Sequence, residues 1–201
     1  GNPLRQAIAT LDRVAARQAA RAHFGIPTDA RVLLVFGGSQ GARRINQAIA
    51  QLLASDAAAD KSLVVLHGYG ATNQPAAPNS ERYVGLPYID RMDLAYAAAD
   101  FAVCRSGAMT VAEVTAVGLP ACFVPFPIGN GEQSLNGRHV VAAGGALQVA
   151  DAHLTGDWLR AHVVPLLADP TRLAAMSTTS RALGRPGAAG LLADLVESVV
   201  A

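Results

Sequence analysis

Short apolar runs alternate along the chain with longer segments in which apolar residues recur at helical spacing. The run at 31–36 is almost uninterrupted, which is typical of a strand buried on both faces of a parallel sheet. Strands are predicted at 31–36, 63–66, 82–85, 101–104, 121–124 and 146–149. Helices are predicted at 6–23, 43–54, 92–99, 110–117, 133–143, 155–168, 170–183 and 188–200. This alternation indicates an α/β fold, a Rossmann-like doubly wound parallel sheet of about six strands with helices on both faces.

The length, 201 residues, fits one globular domain of generous size or two small ones. Hydrophobic residues make up 51% of the chain and charged residues 15%, a balance that excludes a disordered polymer. The formal net charge is +1 and the basic residues form no block, so no nucleic-acid partner is expected. No apolar run reaches the roughly 18 residues that a membrane-spanning helix requires.

The cysteines and histidines suggest neither a disulfide framework nor a metal centre. Cys104 and Cys122 each lie inside an apolar run, which predicts two buried free thiols. The five histidines are scattered without metal-ligand spacing, so no metal is expected. No cofactor is expected either. His67 or His139 could serve as a general base, although an isolated histidine is more often structural.

The first candidate site is the glycine-rich turn at 37–42, because ligands of parallel α/β sheets bind outside the carboxyl ends of the strands. Its backbone N–H groups and the dipole of the following helix favour an anion, and glycine permits close approach. The spacing matches neither the dinucleotide nor the P-loop motif. His67 also stands where a nicotinamide-dinucleotide domain would place an acid. The alternative is a tight turn in which Ser39 caps the helix.

The second candidate site is the turn at 105–113, which follows the fourth strand. The backbone amides at 107–110 form a further potential anion site. Glu113 lies one helical turn further on, where its carboxylate could accept hydrogen bonds from two adjacent ribose hydroxyls. The alternative is that Thr110 and Glu113 form a capping box.

The third candidate site is the turn at 125–136, where three polar side chains cluster at a helix start: Glu132, Gln133 and Asn136. Carboxylate and amide groups suit sugar hydroxyls, which both donate and accept hydrogen bonds. The alternative is a solvated helix start at which Glu132 is favoured by the helix dipole.

These turns, taken in order, resemble the C-terminal half of the MurG family of peptidoglycan glycosyltransferases (glycosyltransferase family 28). The resemblance covers nearly the whole chain, and its segments are 1–5, 37–42, 88–92, 95–100, 104–113, 118–120 and 132–136. It implies one half of a GT-B fold, with residues 1–201 as the UDP-sugar (donor) domain and the N-terminal acceptor domain absent. The start of the chain without Met, at a family linker motif, fits an excised piece.

The resemblance also implies donor contacts. Arg5 and Ser39 match residues near the diphosphate and sugar, and the backbone of Ile89 matches a group that recognises the uracil edge. Glu113 matches the ribose-binding acid. Gln133 is the preferred sugar ligand, because Glu132 stands where some members carry Gln. The full implied set for UDP-GlcNAc is Arg5, Ser39, Ile89, Ala108, Met109, Thr110, Val111, Ala112, Glu113, Glu132, Gln133 and Asn136.

The implied reaction is an inverting transfer of GlcNAc from UDP-GlcNAc to the C4 hydroxyl of MurNAc in lipid I, which forms lipid II without a bound metal. The resemblance implies that the acceptor-side base lies in the missing domain, so the isolated chain is expected to be soluble and inactive. It further implies peripheral attachment to the cytoplasmic face of the inner membrane, beside other cell-wall synthesis proteins. Two alternatives stay open: the donor half of another GT-B glycosyltransferase, and a stand-alone nucleotide-sugar-binding subunit that docks on a membrane partner.

Overall fold

The computed structural model describes residues 1–38, 42–55, 62–128 and 130–200, with the side chain of Val200 excepted. Its sheet is parallel throughout and has the strand order β3-β2-β1-β4-β5-β6. The strands are β1 Arg31–Phe36, β2 Leu63–Gly68, β3 Tyr83–Leu86, β4 Phe101–Cys104, β5 Ala121–Phe123 and β6 Ala146–Gln148. This is the doubly wound order expected of a Rossmann-like domain, so the predicted α/β fold is confirmed.

Helices pack on both faces of this sheet. They are α1 Gln6–Ala9, α2 Arg13–His23, α3 Arg43–Ala54, α4 Met92–Ala98, α5 Ala108–Ala116, α6 Glu132–Asn136, α7 Arg138–Ala142, α8 Gly156–His162, α9 Val164–Leu167, α10 Pro170–Leu183 and α11 Ala188–Val200. Among the helices in the described ranges, none combines the length and the apolar character needed to cross a bilayer.

The prediction of a single helix over 6–23 is wrong, because the chain forms two helices there, α1 and α2. The carboxylate of Asp12 accepts hydrogen bonds from the backbone N–H groups of Val14, at 3.0 Å, and Ala15, at 3.1 Å. Asp12 is therefore the N-cap of a new helix rather than a residue within a continuous one.

The helices predicted at 133–143 and 155–168 are also each divided in two. The first breaks at Gly137, where a Cβ atom would lie 2.7 Å from Cδ2 of Phe123 on the sheet. The second breaks at Val163, which separates α8 from α9. Helices α10 and α11 have the predicted bounds.

The sheet separates two apolar layers, which explains why its strands read as continuous apolar runs. Val32 and Leu34 of β1 pack into one layer, and Leu33 and Val35 into the other. All four side chains are fully buried. Successive residues of a strand point to opposite faces, so all four central positions of β1 must be apolar.

Cys104 and Cys122 lie in different layers, so the sheet stands between their thiols. Burial raises the pKa of the Cys122 thiol to about 12 and that of Cys104 further. The predicted free, buried thiols are confirmed. We expect a thiol reagent to leave the native protein unlabelled and to titrate two thiols per chain after unfolding without reductant. A count of zero after unfolding, or rapid labelling of the native protein, would contradict this assignment.

A buried ionic cluster joins α2 to the start of β4. The carboxylate of Asp100 accepts hydrogen bonds from the guanidinium groups of Arg17 and Arg21 and, at 2.8 Å, from the backbone N–H of Val32. Arg13 donates to three backbone carbonyls at the ends of α4 and α5, and burial lowers its pKa to about 10. These arginines tie α2 to α4, the helix that forms one wall of the candidate site.

Candidate functional site

The candidate site lies at the carboxyl edge of the sheet, where β1 and β4 lie side by side. The chain leaves β1 and β4 toward opposite flanks of the sheet, and such a reversal of strand order opens a crevice between the two turns. The turns are 37–42, of which Gly37, Gly38 and Ala42 are described, and 105–107. Helix α3 begins at Arg43 with Ala42 at its N-cap, and the predictions for Ser39 lie outside the described residues.

A cavity of about 160 Å³ opens on one side of this crevice. Its walls are mostly apolar and include one carboxylate, that of Glu113, a combination that suits a planar base followed by a sugar with adjacent hydroxyls. The predicted residues Ile89, Thr110 and Glu113 are brought together here. The lining residues are Phe36, Gly38, Gly68, Pro87, Tyr88, Ile89, Met92, Tyr96, Thr110 and Glu113.

Gly68 is needed at the end of β2 to leave room for Ile89. A Cβ atom on Gly68 would lie 3.1 Å from Cδ1 of Ile89. Ile89 is itself only 5% exposed, so its side chain has little freedom to move aside. The glycine therefore helps to set the position of the segment predicted to recognise the base.

Helix α5 presents its N-terminus to the crevice without a side-chain cap. It begins at Ala108, Gly107 is its N-cap, and the first backbone bond within the helix runs from the N–H of Val111 to the carbonyl of Gly107. The N–H groups of 108–110 thus lack intrahelical acceptors and can bind an anion. The capping-box alternative for Thr110 and Glu113 is wrong, because the helix starts two residues before Thr110.

The carboxylate of Glu113 is held by two donors instead. The hydroxyl of Tyr96 donates to Oε2 at 2.8 Å, and Nη2 of Arg5 donates to Oε1 at 3.3 Å. Burial raises the pKa of Tyr96 well above 10, which keeps it a neutral donor at physiological pH. Arg5, predicted from the resemblance, therefore lies beside the predicted ribose-binding acid.

The remaining predicted residues of α5 face elsewhere. Ala108, Val111 and Ala112 line a separate cavity on the other side of the helix, together with Asn136. The side chain of Met109 is exposed and lines none of these cavities. Ala108 and Met109 can therefore contact a ligand in the crevice only through their backbone amides. Thr110 and Glu113 can also contact it through their side chains.

A larger cavity, of about 820 Å³, adjoins the first and shares Gly38 and Thr110 with it. Three arginines and one aspartate among its lining residues make it a basic chamber: Arg43, Arg44, Arg105 and Asp151. The guanidinium of Arg105 lies 2.6 Å from the Asp151 carboxylate and donates to the carbonyls of Val124 and Pro125. The chamber suits the diphosphate and a neutral sugar. Sequence reasoning missed its arginines, since they form no run.

The third predicted turn closes this chamber. Gln133 lines it and accepts a hydrogen bond from the backbone N–H of Phe126 at 3.0 Å. Ser106 donates to the carbonyl of Gln133, and the side-chain amide of Asn136 donates to the carbonyl of Ser106. Asn136 therefore supports the turn and lines neither the smaller cavity nor the chamber. Glu132 is exposed in the first turn of α6.

His67 is structural, as its isolation in the sequence suggested. Asn46 donates from Nδ2 to the carbonyl of Tyr69, so its Oδ1 faces Nε2 of His67, which must carry the proton. Nδ1 then accepts from the hydroxyl of Tyr83 at 3.0 Å. Burial lowers the pKa of His67 to about 4, so the ring is neutral at pH 7. Within the described ranges, no group of three or more His, Cys, Asp or Glu side chains could hold a metal ion.

Comparison with known proteins agrees with this geometry. The profile of the glycosyltransferase family 28 C-terminal domain matches residues 32–192. An enzyme of Mycolicibacterium smegmatis, named UDP-N-acetylglucosamine--N-acetylmuramyl-(pentapeptide) pyrophosphoryl-undecaprenol N-acetylglucosamine transferase, is 57% identical over 97% of this chain and 51% of its own length. Its namesake from Rhodococcus opacus is 54% identical over the whole of this chain and 53% of its own length.

Solved structures give the same result. The crystal structure of Acinetobacter baumannii MurG superposes with a TM-score of 0.75 at 27% identity, over 95% of this chain and 55% of that one. The glycotransferase of kitacinnamycin superposes with a TM-score of 0.64 at 26% identity, over 89% of this chain and 46% of that one. The fold is thus one half of a GT-B fold, and the chain spans about half the length of the relatives it matches. The chain belongs to the glycosyltransferase family 28 C-terminal domain family.

Proposed function

We propose that this chain is the donor-binding domain of a transferase that moves GlcNAc from UDP-GlcNAc to the C4 hydroxyl of MurNAc in lipid I, with inversion at the anomeric carbon. One observation carries the proposal: the Glu113 carboxylate lines an apolar slot, and Thr110, in the first turn of the uncapped helix α5, lines both that slot and the basic chamber beside it. A uridine diphosphate sugar needs these features in this order. The names of the relatives supply the sugar and the acceptor.

In this proposal the uracil lies in the smaller cavity beside the backbone of Ile89, and the ribose hydroxyls bind Glu113. The diphosphate faces the amides of 108–110 and Arg5. The GlcNAc occupies the larger cavity near Gln133, with Glu132 at its rim. Ser39, outside the described residues, keeps its proposed place near the diphosphate.

The donor domain assists the chemistry by stabilising the leaving group. As the acceptor hydroxyl attacks the anomeric carbon, the bond to UDP breaks and negative charge grows on the diphosphate. Preorganised amides at the start of α5 stabilise that charge more in the transition state than in the ground state. The guanidinium group of Arg5 adds a positive charge on the same side.

The acceptor half of the reaction belongs, in this proposal, to the additional length of the relatives. That part would bind lipid I, supply the base for the C4 hydroxyl and contact the cytoplasmic face of the membrane and other cell-wall synthesis proteins. The 201-residue chain is then a binding domain without transferase activity of its own.

Calorimetry on the 201-residue chain tests whether it binds the donor, and an activity assay tests whether it lacks transferase activity of its own. We expect binding of UDP-GlcNAc and UDP with a dissociation constant of about 1 μM or weaker, because only one wall of the cleft is present. ADP is the control and should bind far more weakly. Incubation with UDP-GlcNAc and a lipid I analogue should yield no transfer product. Absence of UDP binding would contradict the donor role, and product formation would contradict the assignment of the base to another domain.

A further inference from the structure

Tyr96 contacts Glu113 in the candidate site through its hydroxyl oxygen. The ring is fully buried in α4 and packs edge-on against Phe36, with 6.1 Å between ring centroids. Its hydroxyl lies 2.8 Å from Oε2 of Glu113. Both aromatic rings also line the smaller cavity. A buried side chain on a packed helix thus holds one oxygen of the carboxylate.

The two oxygens of Glu113 are held unequally. The Tyr96 donor on Oε2 belongs to a residue with 0% exposure, whereas the Arg5 donor on Oε1 belongs to a side chain that is 58% exposed and 3.3 Å away. An exposed ion pair contributes little and exchanges readily. Oε1 can therefore change partner when a ligand arrives, while Oε2 stays in place.

Carboxylate orientation is otherwise weakly determined in a glutamate. The terminal torsion of this side chain is broad, with no sharp staggered minima. Recognition of two adjacent hydroxyls requires the carboxylate plane to face them, and a rotated carboxylate would meet only one. A fixed donor on one oxygen removes this freedom before the ligand binds, which lowers the ordering cost of binding.

We propose that Tyr96 is a positioning residue for ribose recognition: its buried hydroxyl fixes the carboxylate of Glu113 so that the oxygen shared with Arg5 is presented to the ribose hydroxyls. The inference rests on the proposed donor function and adds a specificity determinant to it. Tyr96 makes the site select ribose over deoxyribose without having to contact the sugar.

The test compares UDP with 2′-deoxy-UDP on wild type and Tyr96→Phe. Wild type should prefer UDP by about tenfold, since one charge-assisted hydrogen bond is lost with the 2′-hydroxyl. Tyr96→Phe keeps the ring and its packing on Phe36, and should reduce the preference to about threefold or less. In a Glu113→Gln background, the same Tyr96→Phe change should leave the preference unaltered. Thermal melts without ligand establish that each variant is folded.

Tyr83→Phe is the matched control. Tyr83 is as deeply buried, at 1% exposure, but its hydroxyl bonds to His67 and Ala76 in the opposite apolar layer. This variant loses stability without a change in the preference for UDP. A general effect of deleting a buried hydroxyl would instead lower the preference in both variants and overturn the proposal.

The remaining outcomes separate the inference from the proposed function. Unchanged preference in Tyr96→Phe, with normal UDP binding by wild type, overturns the role of Tyr96 and leaves the donor function standing. Equal affinity of wild type for the two nucleotides overturns both the ribose contact of Glu113 and the inference. Failure of wild type to bind UDP at all overturns the proposed function itself.

Discussion

Replacing Asp100 by alanine should lower the free energy of unfolding by about 3–5 kcal/mol, a large part of the 5–15 kcal/mol typical of a domain. The carboxylate, 16% exposed, is the counter-ion of Arg21, whose side chain is only 2% exposed. It also accepts the backbone N–H of Val32 in the core strand β1. The substitution would leave a buried guanidinium without its counter-ion and a buried N–H without an acceptor, and both losses are costly.

Asp157→Ala provides the control for this prediction. Asp157 also pairs with an arginine, Arg160, at 2.8 Å, but its side chain is 83% exposed. An exposed pair contributes at most about 1 kcal/mol. Urea unfolding of the two variants and wild type measures the difference directly. Similar losses in both variants would show that burial of the Asp100 cluster does not determine its contribution.

Glu113→Gln should weaken UDP binding by about 10- to 150-fold. The ionised carboxylate accepts charge-assisted hydrogen bonds from the ribose hydroxyls, each worth roughly 1.5–3 kcal/mol, and the amide cannot reproduce them. Desolvation of the carboxylate offsets part of this, which leaves a net loss of about 1.5–3 kcal/mol. The melting temperature without ligand should hardly change, because the partner Arg5 is mostly exposed and Gln can still accept from Tyr96.

Glu81→Gln is the matched control, since it makes the same change of charge at an exposed turn position that lines neither cavity. UDP titration of wild type and both variants, beside melts without ligand, gives the result. Equal UDP affinity in Glu113→Gln and Glu81→Gln would remove the ribose role. Glu113 could not then be explained as a helix-capping residue either, because α5 begins at Ala108.

The sheet could be predicted from sequence because its four central strands, β1, β2, β4 and β5, are built on apolar runs bounded by turns. The α/β alternation leaves few ways to arrange such strands. Helix ends were less predictable, because they depend on single side chains. Asp12 can cap a helix or lie within one, and the capping bonds to Val14 and Ala15 decide the matter only in three dimensions. Gly137, where helix α6 ends, packs so closely on Phe123 that a Cβ atom has no room, a contact that no local pattern encodes.

The candidate site was only partly predictable from the sequence. Glu113 could be placed because it follows a strand end, where a parallel sheet gathers its ligands, whereas Ile89 was placed by the family resemblance. Tyr96 and Arg105 could not, since each lies far along the chain from the group it contacts. Asn136 was predicted to bind a sugar because of its amide chemistry, but in the fold this amide donates to the backbone carbonyl of Ser106.

A titration of the isotopically labelled 201-residue chain with UDP, followed by amide chemical shifts, tests the central claim most directly. We expect the largest shifts at the start of α5, residues 108–110, and at Ile89, because Thr110 and Ile89 both line the smaller cavity. Unchanged signals at these residues, or shifts confined to the separate cavity around Asn2 and His139, would contradict the assignment of the crevice as the nucleotide site.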